Sequence, residues 1–186
     1  MQSKFPLPAE PFARRVADAY RMLPVDSYAT GDPATVRAYD ALMAEIPAQY
    51  ARVAARFDVV HTARDPYDSL ASMLADMQGN RRMLVFNGGA PHPVLARVAF
   101  GGPVPVTFND LFRAVHDCQH ADIGAGFGPA GEDAVFRAHR DTGGFSRDAI
   151  RALATETRGQ NNVYRFDKAY PAQKAGVLPD SLVFAD

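Results

Sequence analysis

Cysteine is nearly missing from this 186-residue chain, in which Cys118 is the single example. One cysteine excludes an internal disulfide, and it also excludes zinc or iron–sulfur sites built on several cysteines of one chain. A bound metal ion would therefore need nitrogen and oxygen ligands. A chain of this length buries an adequate core without a metal as a staple, so a metal would serve function rather than folding.

Long apolar runs and a dominant charge are missing too. No stretch approaches the roughly 20 apolar residues of a membrane helix, and the N-terminal MQSKFPLPAEPFARR lacks the apolar segment of a signal peptide. We therefore expect a cytoplasmic protein that does not bind membranes. The formal net charge of −1 does not indicate nucleic-acid binding. The sequence leaves open the oligomeric state and whether the substrate is a small molecule or a nucleotide.

Helical spacing of apolar residues dominates the chain and predicts a mainly α fold, a single helical domain over residues 1–186 with a small two-stranded β element. The two strands are expected at 57–61 and 83–86, followed by a loop from Gly88 to Pro105. The metal-site helices should cover about 107–160, before an irregular tail at 161–186. The predicted helices are Phe12–Leu23, one that begins after Asp32 and that Pro47 ends or kinks, Ser69–Met77, one that Thr107 caps, Ala130–Arg140, and Ser146–Arg158.

Two histidines, His116 and His120, carry the clearest chemical signal. Four residues of α-helix turn through about 400°, so the two imidazoles lie on one face, one turn apart. The same spacing occurs in the HExxH zinc helix, where the residue after the first histidine is the glutamate that activates water. Asp117 occupies that position here, and it is one methylene shorter. The pattern therefore predicts a ligand pair, with Asp117 orienting an imidazole, and does not by itself predict a protease.

A second interpretation takes His116 and Asp117 together as the doublet of HD-type phosphohydrolases, in which both residues bind metal. His61 would then supply the upstream histidine. Consecutive residues point about 100° apart on a helix, and this makes the doublet the weaker interpretation.

Three further residues are candidates to complete the site. Glu132 and His139 are seven residues apart and share a helix face, and Glu156 lies on the next predicted helix. Carboxylates at core-facing positions cost several kcal/mol unless they are paired or bind a cation. We therefore predict that a divalent ion, Zn or Fe, with Mn also compatible, is held by His116, His120 and one or more of Glu132, His139 and Glu156. The alternative is that these are ordinary helix side chains, with Glu132 favoured by the helix dipole.

Catalytic and substrate-binding roles follow from the same positions. A carboxylate that does not bind the metal, Glu132 or Glu156, would take a proton from water. Arg113 and Arg158 can each bind a carboxylate or phosphate through two hydrogen bonds, and Asn109 lies near the same face. The alternative for these three residues is helix-surface charge and capping.

The motifs together resemble a family of uncharacterised proteins from bacteriophages and other mobile elements. The resemblance spans roughly Phe57 to Pro179 and implies a metal site and a phage setting, where DNA modification, takeover and counter-defence are common. One departure is Cys118-Gln119, where the family has an aromatic residue and glycine. The matching segments are Asp65–Tyr67, Asp76, His92-Pro93, Asn109–Asp117, His120-Ala121, Phe127–Pro129, Gly131-Glu132, His139, Glu156–Asn161, Gln173-Lys174 and Leu178-Pro179.

Three hypotheses follow for function. The first is a metal-dependent hydrolase in which the ion lowers the pKa of a bound water. The second keeps the ligands but binds iron, as a non-haem or di-iron oxygenase. The third is a phage-encoded binding protein without enzymatic activity, whose histidines are structural.

Overall fold

A computed structural model describes residues 4–142 and 144–185 and confirms a mainly α fold with a minor β component. The strands are β1 Asp58–Thr62, β2 Arg82–Phe86, β3 Val98–Phe100 and β4 Val106–Thr107. The helices are α1 Glu10–Met22, α2 Pro33–Ala54, α3 Leu70–Asn80, α4 Phe108–Ile123, α5 Pro129–Asp141, α6 Arg147–Ala154, α7 Gln160–Asp167 and α8 Asp180–Val183, with a π-helical turn at Thr155–Gly159 between α6 and α7. Among these residues, no helix has the length and apolar character needed to cross a bilayer.

The long helix α2 forms the centre of the core and packs against α4 and α6. It begins at the N-cap Asp32, whose side chain accepts a hydrogen bond from the Thr35 backbone N–H. The sequence left open whether Pro47 ends or kinks this helix. It does not end the helix, which continues to Ala54. Proline removes one hydrogen bond of the helix, and burial of apolar side chains such as Ile46 and Val53 on both sides outweighs that loss.

The predicted strand pair is present as β1 and β2, which run parallel with Asp58 opposite Arg82. Helix α3 connects them, as a parallel pair requires a crossover. In a second, antiparallel pair, β3 lies within the segment expected to be a loop and β4 follows directly after that segment. These strands have three and two residues, too short for an alternating pattern to be visible in the sequence.

The helix that begins after Ser146 extends beyond its predicted end at Arg158. It passes through the π-helical turn and continues as α7 to Asp167, so the expectation of an irregular tail is wrong for residues 161–167. Gly159 suggested a helix end, but its φ of −62° and ψ of −60° are helical. A Cβ at this position would lie 2.6 Å from Cδ2 of Tyr20, so glycine is needed for the packing of α1.

Candidate metal centre

Helix α4 positions both histidines on one face. Thr107 and Asp110 form a reciprocal capping box that fixes the start of the helix. Leu111 and Cys118 are buried on the side facing the core. The imidazole rings of His116 and His120 follow each other along the helix, with centroids 4.8 Å apart. Local periodicity therefore suffices to bring these two side chains together.

Helix α5 supplies a carboxylate from its first turn, Glu132. The helix begins after a glycine-rich loop, and the backbone of this loop packs against the first turn of the helix. A Cβ on Gly131 would lie 1.8 Å from the carbonyl oxygen of Gly126, so a residue with a side chain at this position would force the loop away. This close approach brings the loop between α4 and α5 against His120.

Three side chains, His116, His120 and Glu132, have ligand atoms that all lie within 4.8 Å of one another. The Nε2 atom of His116 lies 2.9 Å from Oε2 of Glu132 and 3.1 Å from Nε2 of His120. His120 Nε2 lies 3.4 Å from Oε1 of Glu132. The group can hold a metal ion.

The protonation of His120 suits a ligand. Its Nδ1 lies 2.9 Å from the carbonyl oxygen of Ala125, which can only accept a hydrogen bond. Nδ1 therefore carries the proton in the neutral ring, and Nε2 keeps a lone pair directed at His116 and Glu132. Histidines that bind metal through Nε2 commonly donate their other N–H to a backbone carbonyl in this way.

The distances within the group fit the coordination sphere of a divalent ion. For metal–ligand bonds of about 2.1 Å, neighbouring ligands are separated by about 3.0 Å around an octahedral ion and about 3.4 Å around a tetrahedral one. The three observed separations cover this range. With both rings neutral and no cation, a single proton on His116 Nε2 would have to serve both Glu132 and His120.

Electrostatics couple the three groups. Burial alone would raise the pKa of Glu132, but the adjacent His116 and His120 lower it overall. Burial acts to lower the pKa of His120, and the contact with Glu132 outweighs it and raises the pKa. The carboxylate thus stays charged within a largely buried site, as a ligand for a cation must.

A cavity of about 730 Å³ adjoins the centre, and Glu132, Asp117 and Arg113 are among the residues lining it. Burial raises the pKa of Asp117 to about 6, with a further contribution from the charge of Glu132. Arg113 donates hydrogen bonds to the carbonyl oxygens of Phe86 and Gly88 at 2.8 and 2.9 Å. The predicted substrate-binding Arg113 and the predicted Asp117 therefore both belong to the cavity wall.

His139 lies next to the centre but is not one of the three clustered ligands. Its ring centroid is 6.1 Å from that of His116 and 5.7 Å from that of Phe145. Burial lowers the pKa of His139 to about 3, and the nearby His116 and His120 add to the shift. The ring is therefore neutral at ordinary pH.

Glu156 belongs to a second buried cluster rather than to the metal group. Its Oε1 accepts hydrogen bonds from the Tyr39 hydroxyl and from Nε2 of His92, the latter at 2.9 Å. Its Oε2 accepts from Nε2 of Gln160, also at 2.9 Å. The resemblance pointed to His92, whereas nothing in the sequence pointed to Tyr39. Three protein donors thus occupy both oxygens of this carboxylate, and Glu156 is not among the clustered ligands.

The other two predicted substrate-binding residues lie elsewhere. The buried guanidinium of Arg158 contacts Asp133 at 3.0 Å and donates to backbone carbonyl groups of the C-terminal segment, including that of Leu182. Its role is structural, because it satisfies a buried carboxylate and fastens that segment. Asn109 donates its backbone N–H to Leu95, and it is not among the residues that line the cavity.

His61, the histidine of the alternative HD-type interpretation, lies on β1. It is not part of the ligand group, and both of its ring nitrogens are buried without a partner in the described part of the chain. Asp117 is likewise outside the group. The geometry favours a ligand set of His116, His120 and Glu132 over the adjacent doublet.

Comparison of the chain with protein-family models, with curated proteins and with solved structures gives no match.

Proposed function

We propose that this protein is a metal-dependent hydrolase whose ion is held by His116, His120 and Glu132. The observation that carries the proposal is the convergence of two imidazole nitrogens and one carboxylate beside a cavity of about 730 Å³. Two histidines and one glutamate form the ligand set of several catalytic zinc sites, in which a fourth position is left for water or substrate.

The residues around the ion have separate tasks in this proposal. Zinc supplies a lowered pKa for a water molecule that it binds. Asp117 lines the cavity beside the ligands and takes the proton of the attacking water, the task of the glutamate in the HExxH helix. Arg113, held by the carbonyl groups of Phe86 and Gly88, stabilises negative charge that develops on the substrate.

Elemental analysis tests the metal centre. Protein purified without chelator is dialysed against buffer containing micromolar zinc and then against metal-free buffer. We expect about one zinc ion per chain in the wild type and a near-complete loss in the His116→Ala, His120→Ala double variant. Metal retained by the double variant at the wild-type ratio would contradict the centre.

His61→Ala is the matched control for this experiment. It also removes a buried imidazole, but one that lies on β1 and outside the ligand group. We expect this variant to keep its zinc. Loss of zinc on changing His61, with retention on changing His120, would instead support the HD-type interpretation.

A non-haem iron oxygenase is the second candidate, because two histidines and one carboxylate also form the facial triad of such enzymes. Two of the three distances, 2.9 and 3.1 Å, suit neighbouring ligands of an octahedral ion. Reconstitution with Fe(II) under anaerobic conditions, followed by exposure to oxygen, separates the two. Oxygen consumption that requires His116 would favour the oxygenase, and hydrolysis by the zinc form alone would favour the hydrolase.

The bacteriophage or mobile-element setting is proposed on the resemblance of the motifs alone. A phage-encoded protein that acts only by binding a partner predicts no bound metal and full function after His120→Ala. The elemental analysis therefore also decides between the two enzymatic candidates and this third one.

A further inference from the structure

The cavity beside the metal centre has a second polar wall, formed by Gln160 and Gln173. Nε2 of Gln160 lies 2.9 Å from Oε2 of Glu156 and 3.0 Å from Oε1 of Gln173. Both N–H bonds of Gln160 are thus directed at acceptors. The remaining atoms of the two amides, Oε1 of Gln160 and Nε2 of Gln173, have no hydrogen-bond partner among the described residues.

His92 fixes the orientation of both amides through its hydrogen bond to Glu156. Its Nδ1 accepts hydrogen bonds from the backbone N–H groups of Val94 and Leu95 at 3.0 and 2.9 Å, so this nitrogen carries no proton. The proton is therefore on Nε2, which donates to Glu156 at 2.9 Å. Glu156 receives this bond as a carboxylate and can only accept.

The carboxylate in turn fixes Gln160. With its amide reversed, Oε1 of Gln160 would face an oxygen of Glu156, and two acceptors would meet without a proton between them. Gln160 must therefore present its NH₂ group to Glu156 and to Gln173. Gln173 must accept through Oε1, and its own NH₂ group is left unpaired. The two contacting amides of the cavity wall thus leave one acceptor, Gln160 Oε1, and one donor, Gln173 Nε2, for a bound molecule.

We infer that this glutamine pair binds a cis-amide edge of the substrate, in which an N–H lies beside a C=O on the same side. Primary carboxamides, lactams and the imide edge of a pyrimidine have this arrangement. The substrate N–H donates to Gln160 Oε1, and the substrate carbonyl accepts from Gln173 Nε2. Sites that hydrogen-bond a ligand in this way reject analogues that leave their polar groups unpaired.

The remaining lining of the cavity fits a planar group of this kind. The rings of Phe86, Phe127 and Tyr170 are part of the wall, and the volume is in the range of small-molecule sites. The inference deepens the proposed function and rests on it. The neutral amides of Gln160 and Gln173 recognise a group of the substrate, whereas the charged groups Asp117 and Arg113 act on its reaction. Recognition by neutral amides requires no metal, so it can be tested apart from the centre.

Benzamide and N-methylbenzamide are suitable probes. Benzamide has an N–H on the same side as its carbonyl oxygen, whereas N-methylbenzamide keeps both groups but places them on opposite sides. Binding is measured by protein-observed ¹H–¹⁵N NMR titration, in which the side-chain amide signals of glutamine report directly. We expect benzamide to bind at least about fivefold more tightly and to shift the side-chain signals of Gln173. Equal binding of the two probes, or no binding of benzamide, overturns the inference.

Gln173→Glu is the decisive variant. It keeps an oxygen that accepts from Gln160, replaces the NH₂ donor with a second acceptor and adds a negative charge. We expect benzamide to bind at least about tenfold more weakly, with an unchanged melting temperature. Unchanged benzamide binding in the folded variant overturns the inference. Gln173→Met, which removes both polar atoms of the side chain, should show the same loss and serves if the glutamate variant does not fold.

The titrations are run on EDTA-treated and zinc-loaded protein, and the metal content of the same samples is determined. Selectivity for benzamide in protein that never binds zinc would support the glutamine site while contradicting the metal centre. Stoichiometric zinc without selectivity would do the opposite. The two proposals therefore fail separately.

Discussion

Two buried clusters in this protein use the same residue types with different outcomes. The cluster of α4 and α5 places two histidines around Glu132, and the cluster around Glu156 combines His92 with Tyr39 and Gln160. Around Glu156 each contact has one donor and one acceptor. Around Glu132, two imidazole Nε2 atoms and a carboxylate face one another. With both rings neutral, one proton would have to serve all of these contacts.

The two clusters differ in the number of protons between their polar atoms, and this number distinguishes a group that can hold a cation from a closed hydrogen-bond network. Backbone groups set that count in both clusters. The carbonyl of Ala125 takes the proton of His120 away from the site, whereas the N–H groups of Val94 and Leu95 direct the proton of His92 towards Glu156. The same side chain thus becomes a lone-pair donor in one place and a hydrogen-bond donor in the other.

The most direct test of this difference between the clusters is to replace Glu132 and Glu156, one at a time, with glutamine. We expect Glu132→Gln to weaken zinc binding by at least about 100-fold, because a ligand charge is lost. Glu156→Gln should leave the zinc stoichiometry of the folded protein unchanged. Competition with a chromophoric zinc chelator measures both affinities. If the two variants lose zinc equally, the clusters do not act separately.

The loop that orients His120 provides the next test. Gly131→Ala places a methyl group against the Gly126 carbonyl and should move the loop, so we expect zinc affinity to fall by about 10- to 100-fold with all ligands intact. Gly79→Ala is the matched control, because a Cβ there meets no atom within 4 Å. Zinc affinity should be unchanged in this control. Wild-type affinity in Gly131→Ala would show that the loop does not tune the ligand.

The Glu156 cluster should reveal itself in stability rather than in metal binding. Tyr39→Phe removes a buried donor from the carboxylate, and we expect unfolding to become easier by about 1–3 kcal/mol in urea titrations. Tyr28→Phe, which removes an exposed hydroxyl contact with Asp40, should change stability by less than about 0.5 kcal/mol. Equal losses of unfolding free energy in the two variants would show that the buried network stabilises the protein no more than an exposed hydrogen bond does.

The last test concerns pH and His139, which lies next to the metal group without belonging to it. Its pKa is lowered to about 3 in the folded protein by burial and by His116 and His120, so the unfolded chain binds its proton first as pH falls. Stability of metal-free protein should therefore decrease from about pH 6.5 downwards, by up to about 1.4 kcal/mol per pH unit from this group. His139→Phe should flatten that dependence. An unchanged slope between pH 6.5 and 4 would show that His139 is not held neutral.

The mainly α fold and most helix positions could be predicted because they depend on local spacing and on caps such as Asp32 and Thr107. The errors have local causes as well. Pro47 is tolerated within α2 because burial on both sides of it outweighs one lost hydrogen bond. Gly159 is needed to pack against Tyr20 and does not end the helix. A glycine has the same appearance in the sequence in either role.

In the candidate site, too, groupings that depend on local spacing could be predicted, whereas contacts between distant parts of the chain could not. The grouping of His116 and His120 follows from a spacing of one turn, and Glu132 comes from the next helix. His139 was expected with Glu132, but seven residues advance a helix by about 10 Å, more than the ligands of one ion can be apart. The surroundings of Glu156 depend on Tyr39 and His92, which are 117 and 64 residues away in the chain. No local pattern records such distant partners.

The π-helical turn at Thr155–Gly159 has a consequence for how this chain can vary. Such a turn holds one residue more than the α-helix would need, and π-bulges are frequent at functional sites. Deleting one residue between 155 and 159 would give an uninterrupted α-helix, and α7 would keep its direction because the turn already absorbs the extra residue. The side chains within the turn, among them Glu156, would change direction, whereas His116, His120 and Glu132 would stay in place. A single-residue gap here in a relative would therefore mark a change in the Glu156 cluster and not in the three residues that can hold a metal ion.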